Sequence, residues 1–207
     1  MAEKINVTAL KAELYSQKSV SVCNQLLADK KSPFGIGSAA AEAAATSAAM
    51  VLLALGGSDG SDPEVKKAAT DAETLRTYFL RLIDEEIKCK APLEKRLADG
   101  APAVEIEGGY RTACVIIDEI LYTCIMLAEL LDRVSDKISP EDADTAAASV
   151  YFAKTAMHTV RLMKAYYSTK MNEEIFARTT RREPELAIEG SEELMNGLIA
   201  KFEAMIK

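Results

Sequence analysis

Along most of this chain, apolar residues recur at intervals of three and four, the spacing of one face of an α-helix. The clearest run is Val65, Ala68, Ala72, Leu75, Phe79, Leu82, Ile83 and Ile87, a stripe broad enough to face a bundle core. Glycines and prolines fall between such runs. That punctuation predicts about seven helices and no clear strand.

A first helix is expected over 7–28. A second begins with Ser38 as its N-cap and ends at Gly56-Gly57, glycines suited to a helix C-terminus. Asp62-Pro63-Glu64 opens a third that reaches about residue 90, where Pro92 breaks the pattern before a short helix to about 97. Residues 98–108 read as a loop and 110–135 as a strongly apolar helix. Ser139-Pro140-Glu141-Asp142 starts another helix, which continues to about 171. The polar run 178–189 around Pro184 reads as irregular, and Ser191 starts a last amphipathic helix. The fold class expected is all-α, an up-and-down bundle of long helices that pairs as a dimer, with 1–207 as a single domain.

The second helix is the element the others are organised around. It is built from Ala, Ser and Thr on every side, so neighbouring backbones can approach closely, and its one charge is Glu42. Such a segment belongs in the centre of a bundle or at a subunit interface. The loop before it, Pro33-Phe34-Gly35-Ile36-Gly37-Ser38, is either an ordinary turn or a cradle whose free N–H groups receive a ligand oxygen.

Composition narrows the function. With 207 residues the chain can bury a sizeable core. A net charge of −7 and a pI near 5.0 argue against nucleic acid as a partner. No window reaches the length of a membrane span without interruption, 43–55 being too short, and the first residues lack an apolar signal core. A cytoplasmic location with no membrane partner is therefore expected. Cys23, Cys89, Cys114 and Cys124 form no CxxC pair and stand beside a single histidine, His158, so they read as free buried thiols and not as zinc ligands.

Several groups could carry chemistry. Asp84-Glu85-Glu86 is either a solvated charge run balanced by Arg81, Lys88 and Lys90, or a source of carboxylates that work on a proton in a cleft. His158 reads as a structural histidine. Arg161 and Lys164 follow it along a similar side and could receive an anion, and Arg181-Arg182 is a second basic site. Asp142 is either a helix-start acid or a cleft carboxylate. The methionines read as core filler.

Loop, alanine helix and downstream acids together resemble the cyclodeaminase/cyclohydrolase family of folate enzymes. That family has a Pro-x-Pro-Gly-Gly-Gly-Ser loop running into a small-residue helix, where this chain has Ser32, Pro33, Phe34, Gly35, Ile36, Gly37 and Ser38. Its segment Leu-Val-Asp-x-Asp-Ala-x-Ala-Phe is matched by Leu82, Ile83, Asp84, Glu85, Glu86, Ile87, Lys88, Cys89 and Lys90. A later Ser-Asp before a small-residue helix is similar to Glu141-Asp142. Phe34 replaces a proline, Ile36 a glycine, Glu86 an aspartate and Lys90 an aromatic residue.

The resemblance implies an all-helical homodimer acting on a one-carbon unit held on tetrahydrofolate. Asp84 and Glu86 would be the catalytic acids. Gly35, Ile36, Gly37, Ser38 and Asp142 would line the substrate site. No metal and no tightly bound cofactor are implied, the tetrahydrofolate derivative being the substrate. For a chain of this length the favoured reaction is hydrolysis of 5,10-methenyltetrahydrofolate to 10-formyltetrahydrofolate, with formimino cyclodeamination as its relative. The alternative is a helical binding or scaffold protein that kept the bundle and lost the chemistry.

Overall fold

A computed structural model describes residues 14–206, which form six α-helices, short 3-10 turns and connections, with no strand among the described residues. In chain order the helices are α1 (Val20–Ala28), α2 (Ile36–Gly56), α3 (Pro63–Ala98), α4 (Ala103–Val134), α5 (Ala143–Ser168) and α6 (Glu174–Met205). Short connections make α2 to α6 run alternately up and down, as the sequence pattern predicts.

The low-bulk helix α2 lies against α3 on one side and α5 on the other, while α6 covers α4 and α5. Close approach is possible because α2 buries mainly small residues, among them Ala40, Ala41, Ala44 and Ala48. Ser47 even donates its hydroxyl to the Ser149 carbonyl across the α2–α5 contact, at 2.7 Å. The bulk of the core comes from the other helices: Phe79, Leu82, Ile117, Ile120, Leu121, Leu127 and Phe202 are all but inaccessible. Burying each of these contributes about 1.5–3 kcal/mol.

Several expected boundaries differ from the structure. Part of the helix expected over 7–28 lies outside the described residues. Its remainder is a 3-10 turn at Tyr15–Gln17 followed by α1, which Ser19 caps by accepting from the Val22 N–H. Helix α3 passes through Pro92 without a break. Pro92 faces solvent, and buried Leu93 anchors the next turn. The expected loop over 98–108 shrinks, because α4 starts at Ala103 and carries Gly108 and Gly109 inside it. Gly109 serves close packing there: a Cβ would stand 2.9 Å from Cδ1 of Leu93. Helix α6 likewise spans the run expected to be irregular, with Pro184 inside it. Its charges pair along the helix, Arg182 bridging to Glu185 at 3.0 Å and to Glu189 at 3.2 Å.

A further correction concerns α2. Its 21 residues are long and apolar enough to cross a membrane by length and composition, contrary to the expectation that no window is. Half of that segment is buried by α3, α5 and the rest of the fold.

A buried carboxylate at the start of helix α2

Helix α2 begins two residues before the serine expected to cap it. Gly35 occupies the N-cap with no side chain to offer the first free N–H groups. The antiparallel pairing of α2 with α3 brings Glu86 to this place. Ser38 is fully buried, and its hydroxyl donates to Glu86 Oε2 at 2.8 Å, with the Ile83 carbonyl a more distant acceptor at 3.4 Å. Gly37 lies against the same side chain: a Cβ there would be 2.7 Å from Glu86 Oε1. The Ser38 hydroxyl thus donates to Glu86 on α3 instead of capping α2. Glu86 places a negative group where the helix dipole is positive.

Glu86 is 3% exposed. Burial pushes its carboxyl up from the ordinary glutamate range, while the Ser38 hydroxyl and then Lys90 pull against that rise without cancelling it. A carboxyl raised in this way is suited to proton transfer nearer neutral pH.

The other sequence-predicted site residues fall in different places. Asp84, two positions earlier on α3, turns away from Glu86 toward the segment before α1. Its Oδ1 accepts the Tyr15 N–H at 2.6 Å and its Oδ2 accepts the Ser16 hydroxyl at 2.5 Å, so both oxygens are occupied. Gly35 and Ile36 do lie at the start of α2. Lys90 Nζ, bridged to Glu94 at 3.1 Å, rests where a Cβ on Gly35 would be, 2.9 Å away. Ile36 is 51% exposed and, like every described non-glycine residue, has no positive φ, so replacing a loop glycine by isoleucine introduces no backbone strain. Phe34 is buried and packs on the Tyr15 ring with centroids 6.3 Å apart.

Asp142 is not part of this cluster. It accepts from the Ser139 hydroxyl at 2.7 Å and presses against Gly57, where a Cβ would overlap its carboxylate. Gly57 follows the last residue of α2, so within one chain Asp142 and Glu86 sit at opposite ends of that helix, about 30 Å apart at 1.5 Å per residue.

A cavity of about 240 Å³ opens between α1, α2 and α3, and neither Ser38 nor Glu86 lines it. Tyr15, Ser16, Cys23, Glu42, Thr46, Arg76 and Ile83 are among its lining residues. Ile83 belongs to both places, its carbonyl facing Ser38 and its side of the helix forming cavity wall.

A second polar cluster, built around a buried lysine, escaped the reading of the sequence. Lys164, expected on an anion-receiving face, is 1% exposed and points inward to Asp118 on α4 and to Glu183 on α6, the latter at 2.8 Å. Tyr122 completes the group by donating to Glu183 at 3.0 Å. The signal was available: Lys164 falls in register with Met157, Val160 and Tyr167, all buried on α5. His158, by contrast, lies exposed on the outer side of that helix.

Fold and site together define a class: an antiparallel all-α bundle whose low-bulk helix opens with glycines over a buried carboxylate from the next helix. The crystal structure of formiminotetrahydrofolate cyclodeaminase from Thermotoga maritima has the same fold. It superposes with a TM-score of 0.76 at 14% identity, covering 92% of this chain and 96% of that one. The family resemblance read from the sequence therefore holds for the fold. No known family's sequence profile matches the chain. No curated protein is significantly similar to it in sequence.

Proposed function

We propose that this chain binds a one-carbon-substituted tetrahydrofolate and catalyses hydrolysis of 5,10-methenyltetrahydrofolate to 10-formyltetrahydrofolate. The observation that carries this reading is the Ser38–Glu86 hydrogen bond at the glycine-bearing start of α2, in a bundle shared with a folate cyclodeaminase. In the reaction, water attacks the cationic amidine carbon between the two folate nitrogens. One water proton leaves as the carbon–oxygen bond forms, and the second passes to the ring nitrogen as its bond to that carbon breaks. Glu86 is the group that accepts the first proton, and its negative charge favours the cationic substrate. Asp84 keeps a supporting place, holding the wall of the adjoining cavity through Tyr15 and Ser16.

The proposal includes assembly as a homodimer in the cytoplasm. Supporting it is the outer side of α2 and α5, where Ile36, Leu53, Phe152, Leu162 and Tyr166 are 39% to 65% exposed. Light scattering on the purified chain tests this part directly.

One observation favours a second reading, a binding or scaffold protein of the same fold. The Glu86 carboxylate is sealed beneath Gly37 and Ser38, and its hydrogen bond to the Ser38 hydroxyl ties α3 to the start of α2. The two readings separate in a single assay. Loss of methenyltetrahydrofolate absorbance on adding the protein, abolished in Glu86→Gln, supports the enzyme. Folate binding by calorimetry without turnover supports the binding protein, and neither turnover nor binding eliminates the folate reading.

A further inference from the structure

Glu42 is the one charged residue of α2, and it lines the cavity between α1, α2 and α3. The carboxylates around it all have donors. Glu73 receives both the Nε and an Nη of Arg76, at 2.7 and 2.6 Å. Asp84 receives Tyr15 and Ser16, and Glu86 receives Ser38. The Glu42 side chain has no hydrogen bond or ion pair among the described residues, and burial alone pushes its carboxyl up. Arg76, on the same cavity wall, has turned its fork to Glu73 and leaves Glu42 without a partner. Half-burying a carboxylate in this way costs free energy that a donor-bearing ligand can recover.

The shape of the cavity limits what that ligand is. Its 240 Å³ lies below the roughly 300–1,000 Å³ of pockets that enclose whole drug-sized molecules, so it admits a ring system and not an entire folate. Val20, Ala45, Leu80 and Ile83 supply apolar walls, and Tyr15 and Lys18 also line the cavity, the Lys18 Nζ lying 5.4 Å from the centroid of the Tyr15 ring. The need is for a flat, mostly apolar ring with two adjacent N–H donors on one edge.

We propose that Glu42 binds the pterin end of the folate, its two oxygens accepting from the ring N–H and the exocyclic amino group of the 2-amino-4-oxopyrimidine edge. This inference rests on the folate reading above. That edge is a cyclic acylguanidine, and it offers a carboxylate the same parallel pair of donors that arginine does. Glu42 is one helical turn beyond Ser38 on α2, and Ile83, whose carbonyl faces Ser38, lines the cavity, so a ring seated on Glu42 lies about one helical turn from the buried Ser38–Glu86 pair.

The test is calorimetric titration of the intact chain with 5-formyltetrahydrofolate and with the same folate lacking its 2-amino group. The wild type is expected to prefer the 2-amino form by about tenfold or more, roughly the cost of one lost charge-assisted hydrogen bond. The isosteric Glu42→Gln is expected to weaken binding of the 2-amino form to a similar degree and to abolish the preference. Glu85→Gln, at a solvent-facing ion pair with Lys88, is expected to leave both titrations unchanged. A preference that survives in Glu42→Gln overturns the inference while leaving the folate reading intact. Absence of any folate binding by the wild type overturns both together.

Discussion

Gly37 and Glu86 touch so closely that a Cβ on the glycine would stand 2.7 Å from Oε1 and 2.8 Å from both Cδ and Cγ of the glutamate. The glutamate cannot step aside freely, because it is buried and tied to Ser38. Gly37→Ala is therefore expected to force α2 away from α3 or to break the Ser38 bond, lowering stability by about 1–3 kcal/mol. Gly190 and Gly197, inside α6, have open space within 4 Å of where a Cβ would stand and no positive φ. Alanine at either should raise stability by about 0.5–1 kcal/mol through backbone entropy. Urea denaturation of the three single variants checks both signs, and a Gly37→Ala protein as stable as the wild type would refute the tight-contact account.

The raised Glu86 carboxyl makes a pH prediction whose sign follows from linkage. The folded chain holds this proton more tightly than the unfolded one, so the contribution to stability is full below the ordinary glutamate value of 4.5 and is lost as pH rises through the raised value. Glu86→Gln keeps a hydrogen-bonding partner for Ser38 and has no charge to bury. Its stability relative to wild type should therefore increase from about pH 4 to about pH 8. Glu86→Ala should be less stable than wild type throughout, since it strands the buried Ser38 hydroxyl and leaves a void. Denaturation curves across that pH range decide it, and a Gln variant whose advantage shrinks toward pH 8 contradicts the assignment.

Much of this architecture was legible because the helical spacing of apolar residues is written plainly into α3 and α4, and because Ser139-Pro140-Glu141-Asp142 signals the start of α5. The meeting of Gly37, Ser38 and Glu86 was legible too, through the order of loop, alanine helix and acids. What misled were single residues judged by local propensity. Pro92 and Pro184 read as breaks, yet each sits in a helix that neighbouring contacts hold together, Leu93 in one case and the Arg182 and Glu183 pairs in the other. Residues 98–108 read as a loop, yet α4 begins at Ala103 and runs on through Gly109, which answers to the bulk of Leu93 across a helix contact. Asp84 and Glu86 could not be told apart by spacing alone. Their opposite directions depend on which neighbour each meets, α2 for one and the Tyr15–Ser16 turn for the other.

Lys164 joins three helices through two carboxylates, and the arrangement is asymmetric in burial. The lysine is 1% exposed, whereas the Asp118 and Glu183 side chains keep 24% and 38%. Lys164→Ala leaves two acids facing each other without a cation and opens a cavity. A loss near 3 kcal/mol is expected, roughly the lower end for breaking a buried pair, because both acids retain some water. Lys164→Met, which fills the space, should still be destabilised. Adding Asp118→Asn and Glu183→Gln to it should recover part of the loss, since no unpaired charge then remains. Thermal melts of the single and triple variants check this, and a triple variant no better than Lys164→Met would show that the charges are not the cause.

Asp84 fastens the segment before α1 rather than the bundle itself. Helix α1 buries one residue, Cys23, and exposes Val20 at 66% and Leu27 at 45%, so its own apolar contacts hold it weakly. Without the Asp84 oxygens, the Tyr15 N–H and Ser16 hydroxyl lose their acceptors, and local opening of this segment becomes easier while α2 to α6 keep their packing. Asp84→Ala is therefore expected to speed tryptic cleavage after Lys18, Lys30 and Lys31 by about tenfold, consistent with losing one to two hydrogen bonds to a charged group. The main unfolding transition should shift little. Limited proteolysis followed by mass spectrometry reads the first effect and urea denaturation the second. Unchanged cleavage at these lysines, or a large drop in global stability, would place Asp84 in the core's own support instead.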